Sequence, residues 1–399
     1  LYFERHDGDA ATIEDFVKCF EEANGVDLGQ FSLWYHQAGT PLVSVSSAYD
    51  QTKGEFTLSL EQMIPPTPGQ SAKEPMHIPL RFGLILADGS EAKPTSVSGA
   101  DITGDVLHLK ERRQTVTFSG IASRPVVSLN RSFSAPINLH FEQAPADLAK
   151  IAGHDSDLFS RWQALNDLAL PNLVDAARKA RAGEPVETNA VLADTLIAIA
   201  GDEALEPAFR AQALALPSES DIARELGSNN DPDAIRAGRE AVLAFIANRD
   251  PALFATLFER HGTKGAFTPD AASAGKRALR NAALAYLAVS DGTPARAAAA
   301  FKAADNMTDL SAALTVLAHR FPDARETAEA LETFRARFAD NALVIDKWFS
   351  IQSTIPGDGA LDRVRALMTS PHFNKANPNR VRALVGTFAF SNPTGFNRA

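Results

Sequence analysis

The chain has 399 residues, 45% hydrophobic and 22% charged, with a formal net charge of −10. At about 150 residues per domain this length makes two or three domains, and the interspersed charge lacks the Lys/Arg blocks of a phosphate-tracking surface, so nucleic acid is not an expected partner. No apolar run approaches the ~20 residues that cross a bilayer, which excludes a helical membrane span. A single cysteine, Cys19, excludes an internal disulfide or a zinc ribbon and points to the cytoplasm.

The opening Leu1-Tyr2-Phe3-Glu4 has neither an initiator Met nor a signal-like segment, and the chain is expected to be an internal piece of a longer protein. Thr12 is placed to cap a helix carrying Ile13, Phe16, Val17 and Phe20 at helical spacing, with Asn24-Gly25 as its stop and Cys19 as a buried filler. A second short helix is expected to open at Asp27, present Phe31, Leu33, Trp34 and Tyr35, and close at Gly39 and Pro41. These two helices are too small for a domain, and residues 1–41 read as the tail of one lying upstream.

From Leu42 the period changes to two. Phe56, Leu58 and Leu60 alternate with Thr57, Ser59 and Glu61 after a turn at 50–54, which predicts a hairpin. The clearest strand carries Ile78, Leu80, Phe82, Leu84 and Leu86 on one face and ends at Asp88-Gly89. Further strands are expected at 106–109, 115–118, 126–129 and 137–141. The run Pro65-Pro66-Thr67-Pro68 reads as a loop between strands. Short strands at this spacing, with no helix between them, predict an antiparallel β-sandwich over 42–144.

Beyond Ala144 the sequence turns to Ala, Leu, Arg and Glu. Helix starts are marked by Asp231-Pro232, Thr293-Pro294 and Pro322-Asp323, and stops by Gly183, Gly201 and Gly227. Segments of about 10–20 residues with short connections predict stacked antiparallel helix pairs over 145–399, an irregular α-solenoid or superhelical bundle. The fold class is thus multidomain α+β.

Chemistry-bearing motifs are absent. No two of the nine histidines sit four apart with a Glu after the first, so no helix-borne HExxH zinc site can be built, and no metal ligand is assigned. His77, His108 and His140 fall in strands, where surface or packing roles are expected. GxSxG, GxxxxGK[ST] and GxGxxG are missing, and no catalytic residue is assigned. The carboxylate pairs Glu21-Glu22 and Asp155 with Asp157 are expected on solvated helix ends or polar faces.

Local phrases carry a resemblance. Tyr2-Phe3-Glu4-Arg5-His6-Asp7-Gly8, then Phe31, Trp34-Tyr35 and Gly39-Thr40-Pro41, resemble the end of the catalytic domain of bacterial M1 zinc aminopeptidases. His77-Ile78-Pro79, Asp157-x-Phe159-Ser160-Arg161-Trp162, Lys276-Arg277-x-Leu279-Arg280-Asn281 and Asn306-Met307-Thr308-Asp309 follow in that family's order. So do Asp346-Lys347-Trp348-Phe349 and Asn377-Pro378-Asn379-Arg380-Val381-Arg382. The resemblance covers essentially the whole chain.

It implies a parent that removes N-terminal residues from peptides with a bound zinc. The HExxH motif, the later Glu ligand, the GxMxN segment and the Tyr of that chemistry all lie outside this sequence, so the fragment alone should be inactive. The missing N-terminal and catalytic domains of the same chain would be its partners. The fragment would supply the sandwich and most of a helical cap around the substrate cavity. Arg382 matches a cap arginine facing that cavity on the leaving-peptide side, where a guanidinium can hold a carboxylate bidentately. Asp346, Lys347 and Trp348 are further candidates for that face, with Trp348 also suited to the core. Asn306 and Asp309 suit a helix start. After Ser391-Asn392-Pro393 the family continues with further helices, so the cap is expected to be incomplete. A non-catalytic scaffold or peptide-binding module of the same architecture is the alternative.

Overall fold

The computed structural model describes residues 1–262 and 267–398. The chain divides into two compact units, Leu1–Ala164 and Leu165–Ala399. The first contains helices α1 (Tyr2–His6), α2 (Ile13–Asn24) and α3 (Leu33–His36) and nine strands. These are β1 (Leu42–Asp50), β2 (Glu55–Met63), β3 (Ile78–Ile85), β4 (Ser96–Ser98), β5 (Asp101–Thr103), β6 (Val106–Leu109), β7 (Arg113–Ser119), β8 (Val126–Leu129) and β9 (Asn138–Phe141). Helix α4 (Pro145–His154) follows, then the start of α5 (Leu158–Ala182).

The Thr12 cap forms as the spacing requires. Its hydroxyl accepts from Asp15 N at 3.2 Å while the Asp15 carboxylate accepts from Thr12 N at 3.0 Å, a reciprocal capping box, and Gly25 closes α2 at φ +64°. The second helix is shorter than the sequence predicts. Asp27 caps only a turn, accepting from Gly29 N at 2.8 Å, and α3 is a single turn from Leu33. Trp34 nevertheless packs against the sandwich core and donates from Nε1 to the His77 carbonyl at 2.9 Å.

Two sheets face each other, one ordered β4-β7-β2-β1-β9 and the other β5-β6-β3-β8. Their inner faces hold Phe56, Leu58, Leu60, Ile78, Leu80, Val116 and Phe118, all at most 2% exposed. The period-two alternation read in the sequence is therefore the division between core and outside. One pairing departs from the antiparallel expectation: β1 runs parallel to β9, Leu42 opposite Asn138. Such a pairing needs a long crossover, and here the rest of the sandwich lies between the two strands in sequence.

The second unit continues α5 and adds α6 (Ala190–Gly201), α7 (Pro207–Ala213), α8 (Glu219–Leu226), α9 (Pro232–Arg249), α10 (Pro251–Arg260), α11 (Ala271–Asp291), α12 (Ala295–Ala303), α13 (Met307–Arg320) and α14 (Arg325–Arg337). After these come α15 (Ala342–Ser353), α16 (Ala360–Met368), α17 (Pro378–Val381), a π-helical turn Arg382–Gly386, α18 (Thr387–Ser391) and α19 (Pro393–Phe396). Asp231 caps α9 as predicted, with Pro232 at the first helical position. The starts predicted at Thr293 and Pro322 move to Ala295 and Arg325. Successive helices pack as neighbours, α10 on α11, α12 on α13 and α13 on α14, so the unit is a stack of helical hairpins. Among the described residues no single helix is long and apolar enough to cross a membrane, and α9 and α10 bend by 79° at Asp250.

Candidate functional site

The phrase Asn377 to Arg382 starts a helix. Asn377 caps it, accepting from Asn379 N at 3.0 Å, and Pro378 occupies the first helical position, where a missing N–H costs nothing. Arg380 and Arg382 are two residues apart, about 200° around a helix, so they point to opposite sides. Arg380 turns inward and is 7% exposed. It pairs with Asp346 at 2.9 Å, donates to the Ala342 carbonyl at 3.3 Å, and lies 5.4 Å from the Phe349 ring centre. Arg382 is exposed, with a long 3.4 Å contact to Asn379 Oδ1 and no carboxylate partner among the described residues. The buried arginine thus fixes the helix and leaves the second guanidinium free.

From Arg382 the helix widens to π geometry for one turn, and the Thr387 hydroxyl donates to the Arg382 carbonyl at 3.1 Å. Ser350 and Ser353 on α15 donate to the Ala383 carbonyl at 3.2 and 3.4 Å, so side chains of the neighbouring helix tie the widened turn down. Asn392, 2% exposed, closes the corner by donating to the carbonyls of Ser353 and Ile355 and accepting from Gly395 N. The sequence singles out Arg382 as a candidate but carries no signal for the π turn or for this hydroxyl and amide scaffold.

The neighbouring candidates separate. Trp348 is core, 6% exposed, and donates from Nε1 to the Leu331 carbonyl at 3.0 Å. Asp346 belongs to Arg380, and Lys347 is exposed. Asn306 caps α13, accepting from Asp309 N at 3.0 Å, while buried Asp309 accepts from Asn281 at 2.9 Å. Two of the quoted phrases therefore meet in one structural junction between α11 and α13.

In the first unit the structure overturns one expectation. Asp155 is not solvated: it is 2% exposed and pairs with Arg131, itself 6% exposed, at 3.2 Å. Burial, outweighing that pairing, holds the Asp155 pKa above the usual carboxylate range. Arg131 also reaches Glu91 at 2.5 Å. Its guanidinium lies where a side chain at position 83 would begin, so only glycine fits at Gly83.

Asp157 caps α5, accepting from Ser160 N at 2.9 Å, and also accepts from the amide and hydroxyl of Ser132 at 2.8 and 2.9 Å. Although burial opposes it, those hydrogen bonds lower the Asp157 pKa. Ser132 sits between Asn130 and Phe133 in a left-handed turn, with φ of 59°, 54° and 51° at the three residues.

His140 is exposed, but His77 and His108 make a pair, Nε2 to Nδ1 at 2.8 Å. Burial lowers both pKa values, and in the His77 ring the neighbouring His108 adds to the effect. Among the described residues no three His, Cys, Asp or Glu side chains converge to hold a metal ion.

Two family models match successive parts of the chain. A family model described as an Ig-like fold domain of unknown function, DUF3458, matches residues 39–142, and one described as ARM repeats, DUF3458_C, matches residues 145–399. Aminopeptidase N of Caulobacter vibrioides is 42% identical over 399 residues, covering 99% of this chain and 44% of that protein. Aminopeptidase N of Escherichia coli K12 is 35% identical over 398 residues, covering 99% of this chain and 45% of that protein. The crystal structure of Legionella pneumophila aminopeptidase A in complex with aspartic acid superposes with a TM-score of 0.81 at 26% identity, over 99% of this chain and 45% of that one. The chain thus spans less than half the length of the relatives it matches. Matched over its helical unit by the family model and over its full length by these relatives, the chain belongs to the DUF3458_C ARM-repeat family and is homologous to the C-terminal region of aminopeptidase N.

Proposed function

We infer that this chain is the C-terminal part of a cytoplasmic zinc aminopeptidase of the M1 family, whose whole form removes N-terminal amino acids from peptides. The observation that carries this reading is 34–42% identity to three bacterial aminopeptidase N proteins across 99% of the chain. Residues 1–41 are then the end of the catalytic domain, 42–144 the sandwich and 145–399 the cap enclosing the substrate cavity. Zinc supplies Lewis-acid activation of water in such enzymes. The side chains described here do not fit a zinc ion, because no three potential ligands converge. No step of hydrolysis is assigned to them, and the chain alone is inactive.

Arg382 binds the carboxylate of the leaving peptide. Its exposure, its lack of a carboxylate partner among the described residues and its seat on a helix anchored through Arg380 support that role. A planar guanidinium matches a carboxylate with two parallel N–H···O bonds.

The test joins this chain to the upstream portion carried by its longer relatives. Arg382→Ala raises KM for a tripeptide with a free carboxylate by about tenfold, the loss of one charge-assisted hydrogen-bond pair. It leaves an aminoacyl arylamide, which has no carboxylate, unchanged. Equal effects on both substrates refute the assignment. Release of product by the 399-residue chain alone refutes the wider reading.

A further inference from the structure

Helices α12, α13 and α14 enclose an open groove of about 470 Å3, within the size range of small-ligand sites. Its floor is apolar, built by Phe301, Leu310 and Phe334, which are 8%, 4% and 0% exposed. Its two ends carry opposite charge. Glu326 and Glu329 line it from the first turns of α14, and Arg337 from the last, as the dipole of α14 favours.

Lys302, at the C-terminal end of α12, and Leu310, in the first turn of α13, line the groove together with Phe334 and Arg337 from the last turn of α14, which groups the two cations. Glu326, Lys302 and Arg337 have no ion-pair partner among the described residues, whereas Glu329 pairs with Arg325 at 3.4 Å. Three charges therefore frame an apolar floor without neutralising one another.

The spacing selects the ligand. Glu329 and Arg337 are eight residues apart on one helix, about 12 Å, and Glu326 adds about 4–5 Å. A free amino acid is too short to touch both ends. An extended peptide advances about 3.3–3.6 Å per residue, so three or four residues place an ammonium group at the glutamates and a carboxylate at Lys302 and Arg337.

The geometry points to a binding site for unblocked peptides of three or four residues with apolar side chains. It is held by Glu326 and Glu329 at the amino end and by Lys302 and Arg337 at the carboxyl end, over the apolar surface that Ala298 and Phe301 leave accessible. The assignment rests on the two charged ends and the apolar floor, and it stands whether or not the parent is a peptidase.

The experiment is calorimetric titration of the 399-residue chain with the peptide Ala-Leu-Leu-Ala, its N-acetylated form and its C-terminal amide. The free peptide binds, and each blocked form binds about fivefold more weakly, as expected for one partly exposed ion pair. Arg337→Gln weakens the free peptide by the same factor and leaves the amide unchanged, because the carboxylate it served is already gone. Lys302→Gln gives the same pattern and serves if the first variant fails to fold. Absence of saturable binding at millimolar peptide overturns the site. So does equal affinity for free and blocked forms, or an Arg337→Gln loss that is the same for the amide.

Discussion

Arg131→Met tests how the first unit is held together. Arg131 and Asp155 are both nearly inaccessible, 6% and 2% exposed, and their charged atoms approach to 3.2 Å. Removing the guanidinium leaves a carboxylate in a dry site, and breaking a buried pair in this way costs about 3–5 kcal/mol. That is a large share of the ~5–15 kcal/mol that holds a domain folded.

The carboxylate can escape by taking a proton, and burial already raises its pKa. A carboxyl group whose folded pKa lies above its unfolded value favours the folded state most below the unfolded pKa and loses that contribution as pH rises. The deficit of Arg131→Met relative to the native chain is therefore largest at neutral pH and smaller near pH 4. Replacing both partners, Arg131→Met with Asp155→Leu, removes the stranded charge and restores more than half of the loss. Hydrogen exchange of the β3 and β8 amides, read by mass spectrometry, reports opening of this unit apart from the helical one. A deficit below about 1 kcal/mol at pH 7, or a double variant no better than the single one, refutes the reasoning.

Two further outcomes follow from the helical unit. Arg380→Ala strands Asp346 and removes packing on Phe349, lowering stability by about 3 kcal/mol, while exposed Arg382→Ala stays within about 0.5 kcal/mol; urea unfolding of the two variants side by side separates the anchoring arginine from the free one. His319, which shares a 2.9 Å hydrogen bond with Thr354, has its pKa pushed down to about 4 by burial, with Arg236 adding to the effect. A folded pKa below the ordinary 6.5 means that its contribution is complete above pH 6.5 and is lost as pH falls toward 4, about 3 kcal/mol in all; His319→Gln flattens that part of the pH profile, and a ring titrating near 6.5 by NMR contradicts it.

What could be read from the sequence was what local chemistry determines. The Thr12 box, the Asp231-Pro232 start and the alternation of Phe56, Leu58 and Leu60 with Thr57 and Ser59 each have their cause within a few residues, and each appears in the structure where its residues stand. The parallel seat of β9 depends on β1, almost a hundred residues earlier, and no local pattern encodes it. Strands β4 and β5 have three residues each and mostly exposed side chains, so they offer no alternation to read.

Burial of charge was likewise hidden. Asp155 looks like an ordinary helix-end carboxylate until Arg131, 24 residues earlier, is folded against it. Nothing in Asn-Pro-Asn-Arg-Val-Arg distinguishes the arginine that packs inward from the one that faces out. The groove of α12 to α14 escaped for a related reason: its charges, taken singly, are those that any solvated helix carries.

The turn at Asn130 to Phe133 has a consequence for the order in which parts of the first unit loosen. Left-handed backbone at non-glycine residues costs of order 1–3 kcal/mol each, and the amide and hydroxyl of Ser132 both donate to Asp157. The same carboxylate holds the first turn of α5 through Ser160. One side chain therefore fastens the turn and the helix start together, beside the Arg131–Asp155 pair that joins the same two segments. Fraying at the beginning of α5 removes one tie on the bend after β8 and leaves it to Arg131–Asp155 and to the Asn130 bonds with Ala135.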